Sequence, residues 1–123
     1  MMTLKGSCHC KATQFEVTEA PTSVTRCNCS FCSKRGMLHA YYTPDQFKLT
    51  TARDRVSTYQ WNTYTGHHHF CAICGSGTYG ESPSFADGKP DFEHPQVAIN
   101  ARLLDDFDLG AVPITDVDGR HLW

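Results

Sequence analysis

Seven cysteines in three tight groups constrain this 123-residue chain more than any other feature. The first group is Cys8-His9-Cys10. The second is Cys27-Asn28-Cys29-Ser30-Phe31-Cys32. The third is Cys71-Ala72-Ile73-Cys74, followed at once by Gly75. One or two residues between cysteines make a turn that sets two sulfurs on one side of the backbone, each about 2.3 Å from a shared zinc ion. Disulfides fit the pattern less well. Seven is an odd number, and the two cysteines of a C-x-C are badly placed to bond each other. The opening Met1-Met2-Thr3-Leu4-Lys5 lacks the apolar core of a signal peptide, so a reducing cytoplasm is the expected compartment and zinc the expected partner of the thiols.

Spacing alone permits two partitions. In one, Cys29-x2-Cys32 and Cys71-x2-Cys74 make an ordinary four-cysteine ribbon, and Cys8, Cys10 and Cys27 are left over. In the other, Cys8 and Cys10 join Cys71 and Cys74 around one ion, and Cys27, Cys29 and Cys32 hold a second with three ligands. The second partition uses every thiol, and it is the one favoured here. It predicts two zinc ions per chain. Four protein ligands close a tetrahedral site and make it structural, whereas three leave a position where water or substrate can enter.

Composition narrows the remaining classes. The length suits a single domain spanning residues 1–123, and apolar content of 40% gives a modest core that metal sites would reinforce. A formal charge of −2, with Lys34-Arg35 the sole adjacent basic pair, gives no footprint for nucleic acid. No apolar run approaches the length needed to cross a membrane.

The chain shows no solenoid-length repeat and no long apolar period of 3.6 residues. Alternation predicts short strands at 13–17, 23–27, 37–42, 47–50, 56–61 and 97–100, and a strand, knuckle and strand over 67–79. Thr43-Pro44-Asp45 suits the cap and first position of one helical turn. Pro83 to Pro95, with three prolines and several acids, reads as a surface loop, and a short turn is expected near 106–109. His67-His68-His69 reads first as a strand with imidazoles on alternating faces, and second as one imidazole lining a pocket near Cys71 and Cys74. Tyr41, Tyr42, Tyr59 and Trp61 are expected in the core or a pocket wall. For Lys34 and Arg35 a solvated turn is the plainer reading, and a grip on a substrate carboxylate the sharper one.

Gly6-Ser7-Cys8-His9-Cys10, Cys27-Asn28-Cys29-Ser30-Phe31-Cys32-Ser33-Lys34-Arg35-Gly36, Phe70-Cys71-Ala72-Ile73-Cys74-Gly75-Ser76 and Ile99-Asn100-Ala101-Arg102-Leu103-Leu104-Asp105-Asp106 together carry a resemblance. In their order and spacing the chain resembles the glutathione-dependent formaldehyde-activating enzyme family, whose domain also occurs in centromere protein V. The resemblance implies a mostly β fold of several coiled antiparallel sheets, the β-tent, pinned by zinc-binding knuckles. It implies structural zinc on Cys8, Cys10, Cys71 and Cys74, and catalytic zinc on Cys27, Cys29 and Cys32. Where the family commonly has glycine after the second cysteine, this chain has Lys11.

The activity implied is reversible addition of glutathione to formaldehyde, formally a carbon–sulfur lyase reaction. The chemistry of an open three-thiolate site agrees with it. A small thiol can enter as the fourth ligand, lose its proton and attack an aldehyde. The chain is shorter than the glutathione enzymes, which makes a smaller thiol a candidate beside glutathione. A different class of reading is a zinc-stabilised binding module without catalysis, its second site completed by a histidine from 67–69. A third is redox or metal handling by Cys27, Cys29 and Cys32.

Overall fold

The hairpin of β1 (Leu4–Ser7) and β2 (Gln14–Val17) starts the chain, with Gly6 facing Phe15 and Leu4 facing Val17. The computed structural model describes residues 3–87 and 89–122. Next come β3 (Val24–Cys27), the short helix α1 (Ser30–Arg35), β4 (His39–Tyr42), β5 (Phe47–Leu49), β6 (Val56–Tyr59), β7 (His67–Cys71), β8 (Gly77–Ala86), β9 (Lys89–Asn100), β10 (Ile114–Val117) and α2 (Gly119–Leu122). Single 3-10 turns lie at Pro44–Gln46, Arg53–Arg55, Ala101–Leu103 and Leu109–Ala111. The first has Thr43 at its cap, Pro44 at its first position and Gln46 Oε1 accepting the Thr43 N–H at 2.9 Å, as the sequence suggests. No described helix is long and apolar enough to cross a membrane.

Among the described residues the strands form a three-stranded sheet, β1-β2-β5, and a seven-stranded sheet, β10-β3-β4-β9-β8-β7-β6. Alternation decides what each face of the large sheet carries. Ala40 and Tyr42 of β4, Val97 and Ile99 of β9, Tyr79 of β8 and Val56 of β6 point to one face, where they meet Phe15, Val17 and Leu4 of the small sheet. Phe47 bridges the two layers, its ring centroid 5.6 Å from Phe15 and 4.7 Å from Tyr79. The opposite face carries the other residues of the same strands. One register row there runs Tyr41, Ala98, Gly80, His68, Tyr59 across β4, β9, β8, β7 and β6. The row is bulky at both ends and small in the middle, and α1 lies against its His68 end.

The structure is mostly β, as expected; β1 and β10 are strands the alternation did not mark, β6 ends at Tyr59 rather than Trp61, and three further departures bear on the architecture. First, the described residues of 83–95 are largely strand: β8 and β9 pair at Pro83–Pro95 and, after a shift in register, at Ser84–Asp91 and Phe85–Pro90. The three prolines are tolerated because this part of the hairpin outruns its neighbours. β7 pairs with β8 only as far as Glu81, and β4 with β9 only as far as Val97. Beyond those points the outer side of each strand has no strand partner among the described residues, so a missing N–H facing outward there breaks no ladder bond. Second, β10 runs parallel to β3, from Ile114 beside Val24 to Val117 beside Cys27, so pairing is not wholly antiparallel. Third, the second cysteine group continues into a helix, stopped at Gly36 with φ of 67°.

Gly6 is where the small sheet closes on the core. A Cβ there would overlap the Phe15 ring, which is 1% exposed and held against Phe47. The ring has nowhere to retreat. Gly6→Ala is expected to lower stability by about 1–3 kcal/mol, the usual cost of overpacking a core. A denaturant midpoint indistinguishable from wild type would show that the ring is free to move.

Candidate metal centres

Two turns, one near the start of the chain and one near its middle, build the first centre. Cys8 and Cys10 lie in the turn between β1 and β2. Cys8 N–H donates to Thr13 O at 3.0 Å and Lys11 N–H to Cys8 O at 3.1 Å. Lys11 has φ of 67°, so the turn keeps the left-handed residue that a glycine would adopt at less cost. Cys71 ends β7, and Cys74 lies in the turn to β8, where Gly75 (φ 81°) donates to Cys71 O at 2.9 Å and Cys71 N–H donates to Ser76 O at 2.9 Å. The four Sγ atoms lie within 4.8 Å of one another. Cys8–Cys10 and Cys10–Cys71 are both 3.7 Å. A tetrahedral ion with zinc–sulfur bonds of 2.3 Å sets its ligands about 3.8 Å apart, so the donors fit zinc.

Hydrogen bonds to sulfur favour the anionic form of Cys71 and Cys74. Thr13 N–H points at Cys8 Sγ (3.3 Å), Ile73 N–H at Cys71 Sγ (3.4 Å), and the Ser76 hydroxyl lies 3.3 Å from Cys74 Sγ. Burial by itself raises the Cys74 thiol, but the Ser76 hydroxyl and N–H and the Cys10 N–H overcome it and bring the group down to about 5.

The second centre lies at the end of β3 and the start of α1. Cys27, Cys29 and Cys32 place their three Sγ atoms within 4.8 Å of one another. Cys29 is the helix N-cap: its sulfur accepts Cys32 N–H at 3.3 Å, and Cys27 Sγ accepts Cys29 N–H at 3.5 Å. Without a cation the group is frustrated. Burial, and then the neighbouring Cys29 and Cys27, push the Cys32 thiol far up. A divalent ion relieves that conflict by holding all three as thiolates. The other four cysteines are all in the first centre, so this one has three sulfur donors and no fourth.

The imidazole that reaches the second centre is one the sequence reading passed over. His39 Nε2 is 3.6 Å from Cys32 Sγ, and its buried Nδ1 has no hydrogen-bond partner. Burial and then the nearby Arg35 lower its pKa to about 4, so it is neutral at pH 7. No local signal marks it: β4 returns antiparallel to β3 with His39 opposite Thr25, and that long-range pairing is what brings the ring to Cys32. Tyr41 stacks on it at 6.2 Å with half of its surface exposed, and loss of water around the phenol, with Cys32 and Cys27 nearby, raises it to about 12.

The triple histidine alternates faces. His69 is buried in the core, 2.8 Å from Glu81 Oε1 and 2.9 Å from Thr58 Oγ1. His67 is exposed. His68 packs on Phe31 of α1 at 4.5 Å. Among the described residues, no imidazole joins the four-sulfur group. Tyr42 is core, while Tyr59 and Trp61 flank Phe31 at 5.6 and 5.5 Å.

Comparison with known proteins agrees with this architecture. The family model described as "Glutathione-dependent formaldehyde-activating enzyme" matches residues 3–113. The chain belongs to that family. All seven cysteines and His39 fall inside the matched stretch. A Halomonas elongata protein named a putative glutathione-dependent formaldehyde-activating enzyme is 33% identical over 103 residues, covering 76% of this chain. The chain spans only 63% of that relative's length. A crystal structure of a Rhodobacter sphaeroides protein superposes with a TM-score of 0.70 at 29% identity, covering 90% of this family member and 99% of that chain.

Protein purified without chelator is expected to carry two zinc equivalents by elemental analysis, with Cys8 and Cys10 protected from iodoacetamide until the metal is stripped. One equivalent, with Cys8 and Cys10 freely alkylated, would undo the four-plus-three division.

Proposed function

We propose that Cys27, Cys29 and Cys32 hold the catalytic zinc of an enzyme that adds a thiol reversibly to formaldehyde or a related aldehyde, with glutathione or a smaller thiol as nucleophile. Cys8, Cys10, Cys71 and Cys74 hold a structural zinc in this reading. The observation that carries it is a group of exactly three convergent sulfurs beside a neutral imidazole, in a member of a formaldehyde-activating family. When bound, a zinc ion with a free position lowers the pKa of an entering thiol and fixes its sulfur.

The remaining work falls to the chain. Cys29, as helix cap, and Cys27 receive backbone N–H groups that fix their sulfurs in place. His39 and Tyr41 wall the centre on the β4 side. The thiol sulfur donates its electron pair to the carbonyl carbon, the carbonyl π pair moves to oxygen, and the thiol proton ends on that oxygen. The product is a hydroxymethyl thioether. No oxidant is needed, and the reverse direction is carbon–sulfur cleavage.

One observation favours the non-catalytic reading. His39 Nε2, at 3.6 Å from Cys32 Sγ, stands where a small movement would supply a fourth ligand and close the second centre as well. Cobalt separates the two readings, because thiolate-to-cobalt absorption reports the coordination shell. In the enzyme, an added small thiol changes the spectrum of the three-sulfur centre and leaves the four-sulfur centre alone. The zinc form then speeds equilibration of thiol with formaldehyde, and Cys29→Ala abolishes the acceleration. A spectrum that no thiol alters, but that His39→Ala does, would establish a closed site and a binding module.

The two centres should also differ in stability. Structural zinc contributes on the order of 10 kcal/mol of apparent folding free energy in small metal-dependent domains. Cys71→Ala opens the centre that ties the β1–β2 turn to the β7–β8 turn, and insoluble or unfolded protein is expected. Cys29→Ala loosens one local turn and should stay folded. Equal melting temperatures for the two variants would contradict the assignment.

A further inference from the structure

Arg35 is a half-buried cation beside Cys32 and the Phe31 ring, and among the described residues no carboxylate accepts from its fork. Its guanidinium carbon sits 4.6 Å above the Phe31 ring, and a Cβ on Gly77 would come within 2.6 Å of Arg35 NH2, so the side chain is wedged between an aromatic ring and the backbone of β8. Among the described residues it makes no ion pair and no hydrogen bond. The neighbouring arginines differ. Arg26 pairs with Asp116 at 2.7 Å, and Arg102 Nε donates to Gly36 O at 2.9 Å. Taking a guanidinium partly out of water without an acceptor is unfavourable, and a planar five-donor fork suits a carboxylate. The packing therefore prepares a cation for a partner that comes from outside the chain.

The surroundings locate that partner. A pocket of about 450 Å³ is lined by Phe31, Tyr59, Trp61 and Phe70 together with Lys34 and Arg35. Lys34 is exposed at its rim and adds a second positive charge. The pocket and the three-sulfur centre share α1. Cys32 and Arg35 are three residues apart on that helix, a spacing that brings side chains to about 5–6 Å at Cβ. A molecule of a few heavy atoms can thus have sulfur at the centre and an anionic group at Arg35.

We propose that Arg35 is a specificity-determining residue that selects thiols bearing a carboxylate, held by the guanidinium in the aromatic pocket beside the three-sulfur centre. This rests on the thiol-addition reading above, and it narrows the substrate to a class: small anionic thiols, with the carboxylate a few bonds from sulfur. The carboxylate accepts from Arg35, and Phe31 and Gly77 keep the fork from turning away.

The test uses the zinc-loaded full chain and calorimetry with three probes: 3-mercaptopropionate, 2-mercaptoethanol and the thiol-free dicarboxylate succinate. Wild type should bind 3-mercaptopropionate about 10- to 100-fold more tightly than 2-mercaptoethanol, the range for a hydrogen bond to a charged group. Arg35→Met keeps an apolar stem on Phe31. It should bring that ratio close to one while leaving zinc content and 2-mercaptoethanol affinity unchanged. Arg35→Lys should retain part of the preference and provides the folded comparison if the methionine variant is unstable. An unchanged ratio in both variants overturns the proposal. Succinate separates the two ideas. Succinate binding that is lost in Arg35→Met, with no thiol binding at all, keeps the anion site and removes the thiol-addition reading. Equal binding of both thiols, with none of succinate, keeps that reading and removes Arg35 as its selector.

Discussion

Four sulfurs brought within 4.8 Å of one another are the constraint on which the rest of this structure depends. Thiols at 3.7 Å hold one another weakly, and thiolates at that distance repel unless a cation lies between them. The two turns that meet there come from the beginning and the middle of the chain, so the centre joins the three-stranded sheet to the seven-stranded one at one end. Phe15, Phe47 and Tyr79 join the same layers through the core. A modest apolar core and the four-sulfur group therefore act on the same interface.

The second centre sits on the opposite face of the large sheet, and its environment follows from strand alternation. With Ala40 and Tyr42 committed to the core, His39 and Tyr41 must face α1. With Tyr79 and Ile99 committed to the core, Gly80 and Ala98 must lie between His68 and Tyr41. The hydrophobic demand of one face thus dictates which polar and small residues line the other. Of the three sulfur-bearing residues Cys32 is the least buried, and the aromatic group around Phe31 packs on the same helix. Arg35 belongs to that helix too, and the lack of an acceptor for it among the described residues is the basis for proposing an anion there.

Much of this was legible in the sequence. The three cysteine groups and the full use of seven thiols gave the four-plus-three division that the Sγ positions reproduce. Alternation gave the positions of most strands, and Thr43-Pro44 gave its single turn, because these signals are local. The proline-rich segment misled, since proline marks a loop only if its N–H would have been needed. Here the β8–β9 ribbon outruns its neighbours and the N–H is not needed. The parallel pairing of β10 with β3 was also hidden, because no local pattern in Ile114–Val117 names a partner about ninety residues earlier.

The sequence by itself determined which residues converge as candidate metal ligands, because a C-x-C or C-x2-C turn commits its sulfurs to one side over a few residues. Only the tertiary structure decided what surrounds them. His39 reaches Cys32 because β4 folds back along β3. Arg35 lacks a carboxylate because α1 packs against Phe31's aromatic neighbours and Gly77 rather than beside an acid. His69 is a core residue and His68 a wall residue because the strand between them turns each side chain to the opposite face. Those outcomes depend on pairings between distant segments, which composition and spacing do not encode.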